Sequence, residues 1–179
     1  MSQAAKCVHP GQVAAEIPAQ RANDQPPIRS QRMGVLTDYF AARNDQDAAR
    51  AHAAVGGPRQ LGFKTAQFKS IDPLVTIAML DEIVRGTNAL EWIRANAGGD
   101  RMVAGGPDDE QWVFRVAPEH AEMLAELPGE VRPIAERWAK SEELKGFAPA
   151  DLADVLVSLR NLAREARRTG ERLYCWVSL

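Results

Sequence analysis

PADLADVLVSLRNLAREARRTGERLYCWVSL, residues 149–179, contains the change of hydrophobic period that decides the fold class. Leu152, Val155, Leu156, Leu159, Leu162, Ala163 and Ala166 recur at the i, i+3, i+4, i+7 spacing of one buried helix face. Pro149 suits a first helical turn, where its missing N–H has no partner to lose. Asp151 and Asp154 near the start, with Arg164, Arg167 and Arg168 near the end, complement the helix dipole. Gly170 stops the helix, because a left-handed cap carries no Cβ penalty in glycine. Beyond it, Leu173-Tyr174-Cys175-Trp176-Val177-Ser178-Leu179 is apolar on both alternating faces, the pattern of a strand covered on both sides.

Working back toward the N-terminus, helices dominate and strands are scattered between them. Val35 to Ala42 reads as a first strand, Arg101 to Ala104 as a short one and Gln111 to Val116 as another. Asn44 caps a helix expected over 45–55, which Gly56-Gly57-Pro58 ends. The stretch holding Phe63 and Phe68 reads as loose chain. Asp72, Pro73 and Gly86 bracket an apolar helix whose only charged stripe is Asp81, Glu82 and Arg85. Thr87 is placed to cap a further helix to Ala97. Pro118 opens the next, and Pro133 opens one expected to run through Trp138 to Lys145. The expectation is a single α+β domain, mostly helical, with a small sheet of about three to four strands and a long C-terminal helix followed by a final strand.

Residues 1–32 do not fit that pattern. Pro10, Pro18 and Pro26-Pro27 break them up, and their low hydrophobicity cannot offset the entropy of ordering them. They predict a disordered leader, or an upstream start with Met33 as the initiator, so that 33–179 is the globular unit. This sets Cys7 and His9 aside as metal ligands.

Composition narrows the function. With 45% hydrophobic and 26% charged residues the chain is ordinary for a globular protein, so a core needs no disulfide or metal. The net charge is -2, and the leader holds more cations than anions, so the remainder is more acidic still. A mildly acidic domain is a poor partner for nucleic acid. The arginines 160, 164, 167, 168 and 172 form a basic strip, read as a solvated helix face because no aromatics interleave it. No apolar run approaches membrane-spanning length. Two cysteines, one in the leader and one in an apolar run, point to a reduced, cytoplasmic protein.

No strong chemical motif stands out. His9, His52 and His120 are never three or four residues apart, so no zinc-type helical pair exists. His120, beside Glu119, reads as a partly exposed histidine in a first helical turn. The glycines of 98–107 lack phosphate-loop spacing, and Pro107 removes an amide donor, so they read as a turn. Asp108-Asp109-Glu110 and Glu142-Glu143 read as solvated carboxylates. Cys175 reads as an inert buried thiol.

Several short pieces carry a resemblance. These are Met33-Gly34-Val35-Leu36 to Tyr39-Phe40, Ser70-Ile71-Asp72 into the helix ending Arg85-Gly86-Thr87, Val116-Ala117-Pro118-Glu119-His120, and the final helix, Gly170 and strand. In this order they resemble the YfbM-like family of small uncharacterised bacterial proteins. The resemblance implies an α+β fold and a stand-alone bacterial cytosolic protein, and it carries over no catalytic residue.

The weak chemistry and abundant tryptophan (Trp92, Trp112, Trp138, Trp176) predict a non-enzymatic binding or regulatory module acting through protein–protein contacts, with no cofactor and no metal. The alternative is a small enzyme or small-ligand binder whose polar groups converge only on folding. Asp38, Tyr39, Trp112 and His120 are the candidates for its cleft, each a polar or aromatic residue at an expected element end. A pocket with two or more convergent titratable groups is the observation that favours this alternative.

Overall fold

β-Branched and aromatic residues build the first strand, β1 (Leu36–Ala42), and the last, β5 (Arg172–Ser178), and these two form the middle of the sheet. The computed structural model describes residues 35–179 apart from Gly98 and Asp100; the readings on the leader and on the Met33 start lie outside the described residues. The other strands are β2 (Thr65–Lys69), β3 (Met102–Ala104) and β4 (Gln111–Arg115). Their order is β2-β1-β5-β4-β3, every pair antiparallel. The register runs from Leu36↔Ser178 to Ala42↔Arg172 between β1 and β5, and from Gln111↔Ser178 to Arg115↔Tyr174 between β4 and β5.

The α+β class holds, but the sheet has five strands rather than three to four. The strand missed is β2, which reads as loose chain because Thr65, Gln67 and Lys69 dilute its apolar signal. Those polar residues suit its place. β2 is an edge strand, and lysine on an edge discourages pairing with another chain.

Among the described residues six α-helices pack around the sheet: α1 (Asp45–Ala49), α2 (Val75–Arg85), α3 (Ala89–Asn96), α4 (Pro118–Glu126), α5 (Arg132–Trp138) and α6 (Pro149–Thr169). Because strand side chains alternate, β1 and β5 each feed two cores. Tyr39, Ala41, Leu173 and Cys175 face the larger one, with Leu152, Leu156 and Leu159 of α6. Phe40, Ala42, Tyr174 and Trp176 face the smaller, with Val113, Ala48 and Ala51. This is the two-sided covering that the C-terminal run predicts.

Helix ends follow local chemistry with four shifts. Asn44 caps α1 by accepting from Asp47 N at 2.9 Å, but the helix stops at Ala49 rather than near residue 55. Asn88, not Thr87, caps α3, accepting from Glu91 N at 3.0 Å. The helix opened by Pro133 ends at Trp138, and a separate 3-10 turn covers Glu142–Leu144. The fourth is at α2, which begins at Val75 with Leu74 as its cap rather than at Pro73 behind an Asp72 cap; Asp72 Oδ1 still accepts from Leu74 N (2.8 Å) and Val75 N (2.6 Å). Gly105 is needed where it stands: at φ 108 an added Cβ would lie 2.6 Å from Trp112 Cδ1 and 2.8 Å from the Gln111 carbonyl.

The arginines of α6 are more than a solvated strip. Arg164 donates from Nε to Ala125 O at 2.8 Å and from Nη2 to Leu127 O at 3.0 Å. Arg160 donates to the Pro128 and Gly129 carbonyls. Arg164 satisfies carbonyls at the α4 C-terminus and Arg160 those of the turn after it, and together they tie this end of α4 to α6. Arg168 pairs with Glu165 on its own helix at 2.8 Å. Arg167 and Arg172 are left to point elsewhere.

Candidate functional site: an arginine-lined cleft at one end of the sheet

The end of the sheet where β4 stops and β5 starts gathers charge by register alone. Arg115 faces Tyr174 across the β4–β5 pair, and its N–H donates to Arg101 O at 2.7 Å on the other side. Arg172 precedes Tyr174 by two positions, so it shares that face. Asp45, in the first turn of α1, accepts from Arg115 Nη1 at 2.9 Å and from the Tyr174 hydroxyl at 2.8 Å. Burial, then this carboxylate, push the Tyr174 hydroxyl well up, against an opposing pull from Arg172. Arg167, in the last turn of α6, closes the group from the helical layer.

These four arginines line one cleft of about 810 Å³, together with Glu122, Glu171 and Asn96. Its apolar walls come from small residues of three helices, Ala95, Ala121, Ala163 and Ala166, with Val116 and Leu173 at the base. The first turn of α4 borders it through Pro118, bringing the positive end of that helix dipole alongside. Arg101 is held by Asn96 Oδ1 at 2.8 Å and by Glu119 at 3.5 Å, and its guanidinium lies 5.0 Å from the Trp92 ring centroid. Its Nε is buried without a hydrogen-bond partner among the described residues. Arg167 makes no ion pair or hydrogen bond through its side chain among the described residues.

Behind Arg101 lies a second layer. Trp92 Nε1 donates to Glu119 Oε1 at 2.9 Å, and the Trp92 ring packs against His120 at a tilt of 41° with centroids 4.1 Å apart. Burial pushes the Glu119 carboxyl up, but its own backbone bond, the Trp92 indole and Arg101 outweigh that and hold it below the usual range. His120 is 0% exposed, not partly exposed as its place in a first turn suggests, and neither ring nitrogen has a partner among the described residues. Burial pulls its pKa down to about 4; Asp81 and Glu119 oppose this, while Arg101 and Arg85 add to it. Asp81 reads from sequence as part of a charged stripe, yet it is buried, accepting from Thr87 Oγ1 at 2.8 Å and from Arg85 Nε.

The four candidates from sequence do not meet. Asp38 borders a separate hollow of about 390 Å³ with Gln67 and Trp176; burial raises its carboxyl, eased by a 2.9 Å bond from Gln67 Nε2. Tyr39 is a core residue whose hydroxyl donates to Ile71 O at 3.0 Å. Trp112 is half-buried on β4 and donates to Gly106 O at 2.9 Å, fixing the glycine turn. His120 sits one layer behind the arginine cleft. Cys175 is buried and its thiol is raised far above the ordinary range, chiefly by burial, which suits an inert group.

The cleft arginines escape sequence reasoning because they lie in four elements or their flanks. The sequence places Arg167 and Arg172 in one basic strip and allows Arg101 and Arg115 to meet through the hairpin that joins them, but nothing in it brings the two pairs together. No group of three or more histidine, cysteine, aspartate or glutamate side chains able to hold a metal ion occurs among the described residues, and no helix there is long and apolar enough to cross a membrane. Compared with known proteins, the chain matches no family model, no curated protein and no solved structure.

Proposed function

We propose that the protein binds a small organic anion in the arginine-lined cleft. The observation that carries this is the convergence of Arg101, Arg115, Arg167 and Arg172 on one concave surface, opposed there by only Glu122 and Glu171 among its charged lining residues. Like charges brought together raise each other's energy, and a bound anion relieves that cost. Clefts that hold small ligands measure about 300–1,000 Å³, and this one falls inside the range. Its alanine walls offer apolar contact to a ligand body, and its arginines offer planar forks to an acidic head. Convergent charged groups in a concave site favour the small-ligand alternative over a module that acts through protein contacts. A buried free Cys175 agrees with a reducing compartment. The YfbM-like resemblance rests on its short sequence pieces and adds no residue to this site.

Thermal unfolding in the presence of a panel of organic anions tests the proposal. At least one carboxylate or phosphate ester raises Tm, as any ligand that binds only the native state must. The double variant Arg167→Ala/Arg172→Ala loses that rise and keeps its own ligand-free Tm within a few degrees, because neither side chain supports the core. No shift from any anion, or an unchanged shift in the variant, overturns the proposal.

A further inference from the structure

We infer that the ligand of this cleft is an organic phosphate monoester, an inference that rests on the anion-binding reading above. Four arginines and two glutamates line the cleft, and Asp45 and Glu119 behind it pair with Arg115 and Arg101, so the cationic groups open to a ligand are Arg167 and Arg172. The four arginines are not equally available. Arg115 is engaged by Asp45, and Arg101 by Asn96 and Glu119. Arg167 has no side-chain partner among the described residues. Arg172 is set beside the neutral Tyr174 hydroxyl rather than a carboxylate.

Two under-used guanidinium forks ask for more acceptor oxygens than one carboxylate has. A carboxylate satisfies a single fork with its two oxygens, whereas the three terminal oxygens of a phosphate ester can serve both. The helix ends agree. The first turn of α4 borders the cleft and favours negative charge. The negative end of α6 is already engaged: Gly170 N donates to Arg167 O at 3.4 Å and Glu171 N to Ala166 O at 2.8 Å. The alanine walls then take the esterified body, with Asn96 and Glu122 able to meet polar groups on it.

Titration calorimetry of the full chain with phenyl phosphate, benzoate and succinate, from pH 5 to 8, tests this. Phenyl phosphate is expected to bind at least tenfold more tightly than either carboxylate at pH 7.5. Its affinity should fall toward tenfold per pH unit below about pH 6, where the dianionic ester takes up one proton and becomes a monoanion. The charged groups facing the cleft are the four arginines, Glu122 and Glu171, with Asp45 and Glu119 behind them. His120 on α4, pulled down to about 4, does not change charge in the upper part of this window, so the slope near pH 6 reports the ligand. Arg167→Gln should weaken phenyl phosphate more than tenfold and benzoate less. Benzoate or succinate binding as tightly as phenyl phosphate, or a flat pH profile for phenyl phosphate, overturns the phosphate assignment and leaves anion binding standing. Failure of all three to bind overturns both.

Discussion

Replacing Trp138 by alanine lowers the free energy of unfolding by about 3–5 kcal/mol, the largest loss expected from a single side chain here. Trp138 is fully buried at the end of α5, in the core shared with α2 and α6. Its indole N–H donates to Thr76 O at 3.0 Å, so it also ties α5 to α2. The substitution removes the largest side chain of that core and the cross-helix bond together. Alanine cannot refill the space, and neighbours anchored on three helices collapse into it only in part. Urea unfolding followed by circular dichroism measures the change. Trp138→Phe, which keeps most of the volume and loses the bond, should cost clearly less. A loss below about 1 kcal/mol for the alanine variant would mean that α5 is not integral to the core.

The second large effect is a pH dependence carried by His120. Its pKa is pulled from 6.5 to about 4 in the folded protein, mainly by burial. Below pH 6.5 the unfolded chain therefore binds a proton that the native state refuses. The stabilising contribution is complete above pH 6.5 and is lost as pH falls toward 4, by up to about 3 kcal/mol for a shift of this size. Asp81 and Glu119 on one side, and Arg101 and Arg85 on the other, already act on that value. His120→Leu removes the titrating group from the same apolar site, so its stability should decline less over this window than the wild type's. Chemical unfolding at pH 7, 5.5 and 4.5 compares the two. Parallel profiles would place His120 in a more solvated setting than its burial against Trp92 describes.

How far the fold can be read from the sequence depends on where period and burial agree. α6 and β5 are legible because Leu152 to Ala166 repeat at helical spacing and Leu173 to Val177 are apolar throughout. β2 is illegible because an edge strand needs only half its residues apolar, and here those are Ala66 and Phe68 among polar neighbours. Thr87 and Asn88 are both good caps, and only the buried Asp81 decides between them, by taking the Thr87 hydroxyl. The same residue marks a limit of periodicity. Asp81 lies in the charged stripe of α2, yet it is buried and accepts from Thr87 Oγ1 and from Arg85 Nε, while Arg85 itself stays exposed.

The site was harder to see for a different reason. Arg101 and Arg115 lie far along the chain from Arg167 and Arg172, and the four share no motif. What joins them is a register, Arg115 opposite Tyr174, and the packing of the α6 C-terminus over the same end of the sheet. Reading the α6 arginines as one strip merged two populations. Arg160 and Arg164 hold carbonyls at and just after the end of α4, while Arg167 turns to the cleft. Choosing polar residues at element ends found His120 and Asp38, which are buried neighbours of hollows, but passed over the cations that give the cleft its charge.

That division of the arginines offers the most direct test of anion binding in the cleft. Arginine side-chain Nε–Hε resonances are recorded by NMR with and without saturating phenyl phosphate, after assignment by single Arg→Lys variants. Shifts concentrated on Arg101, Arg115, Arg167 and Arg172, with Arg160 and Arg164 unmoved, are the predicted result. Shifts spread over Arg160, Arg164 and Arg168, or a spectrum in which the four cleft arginines do not move, would contradict it.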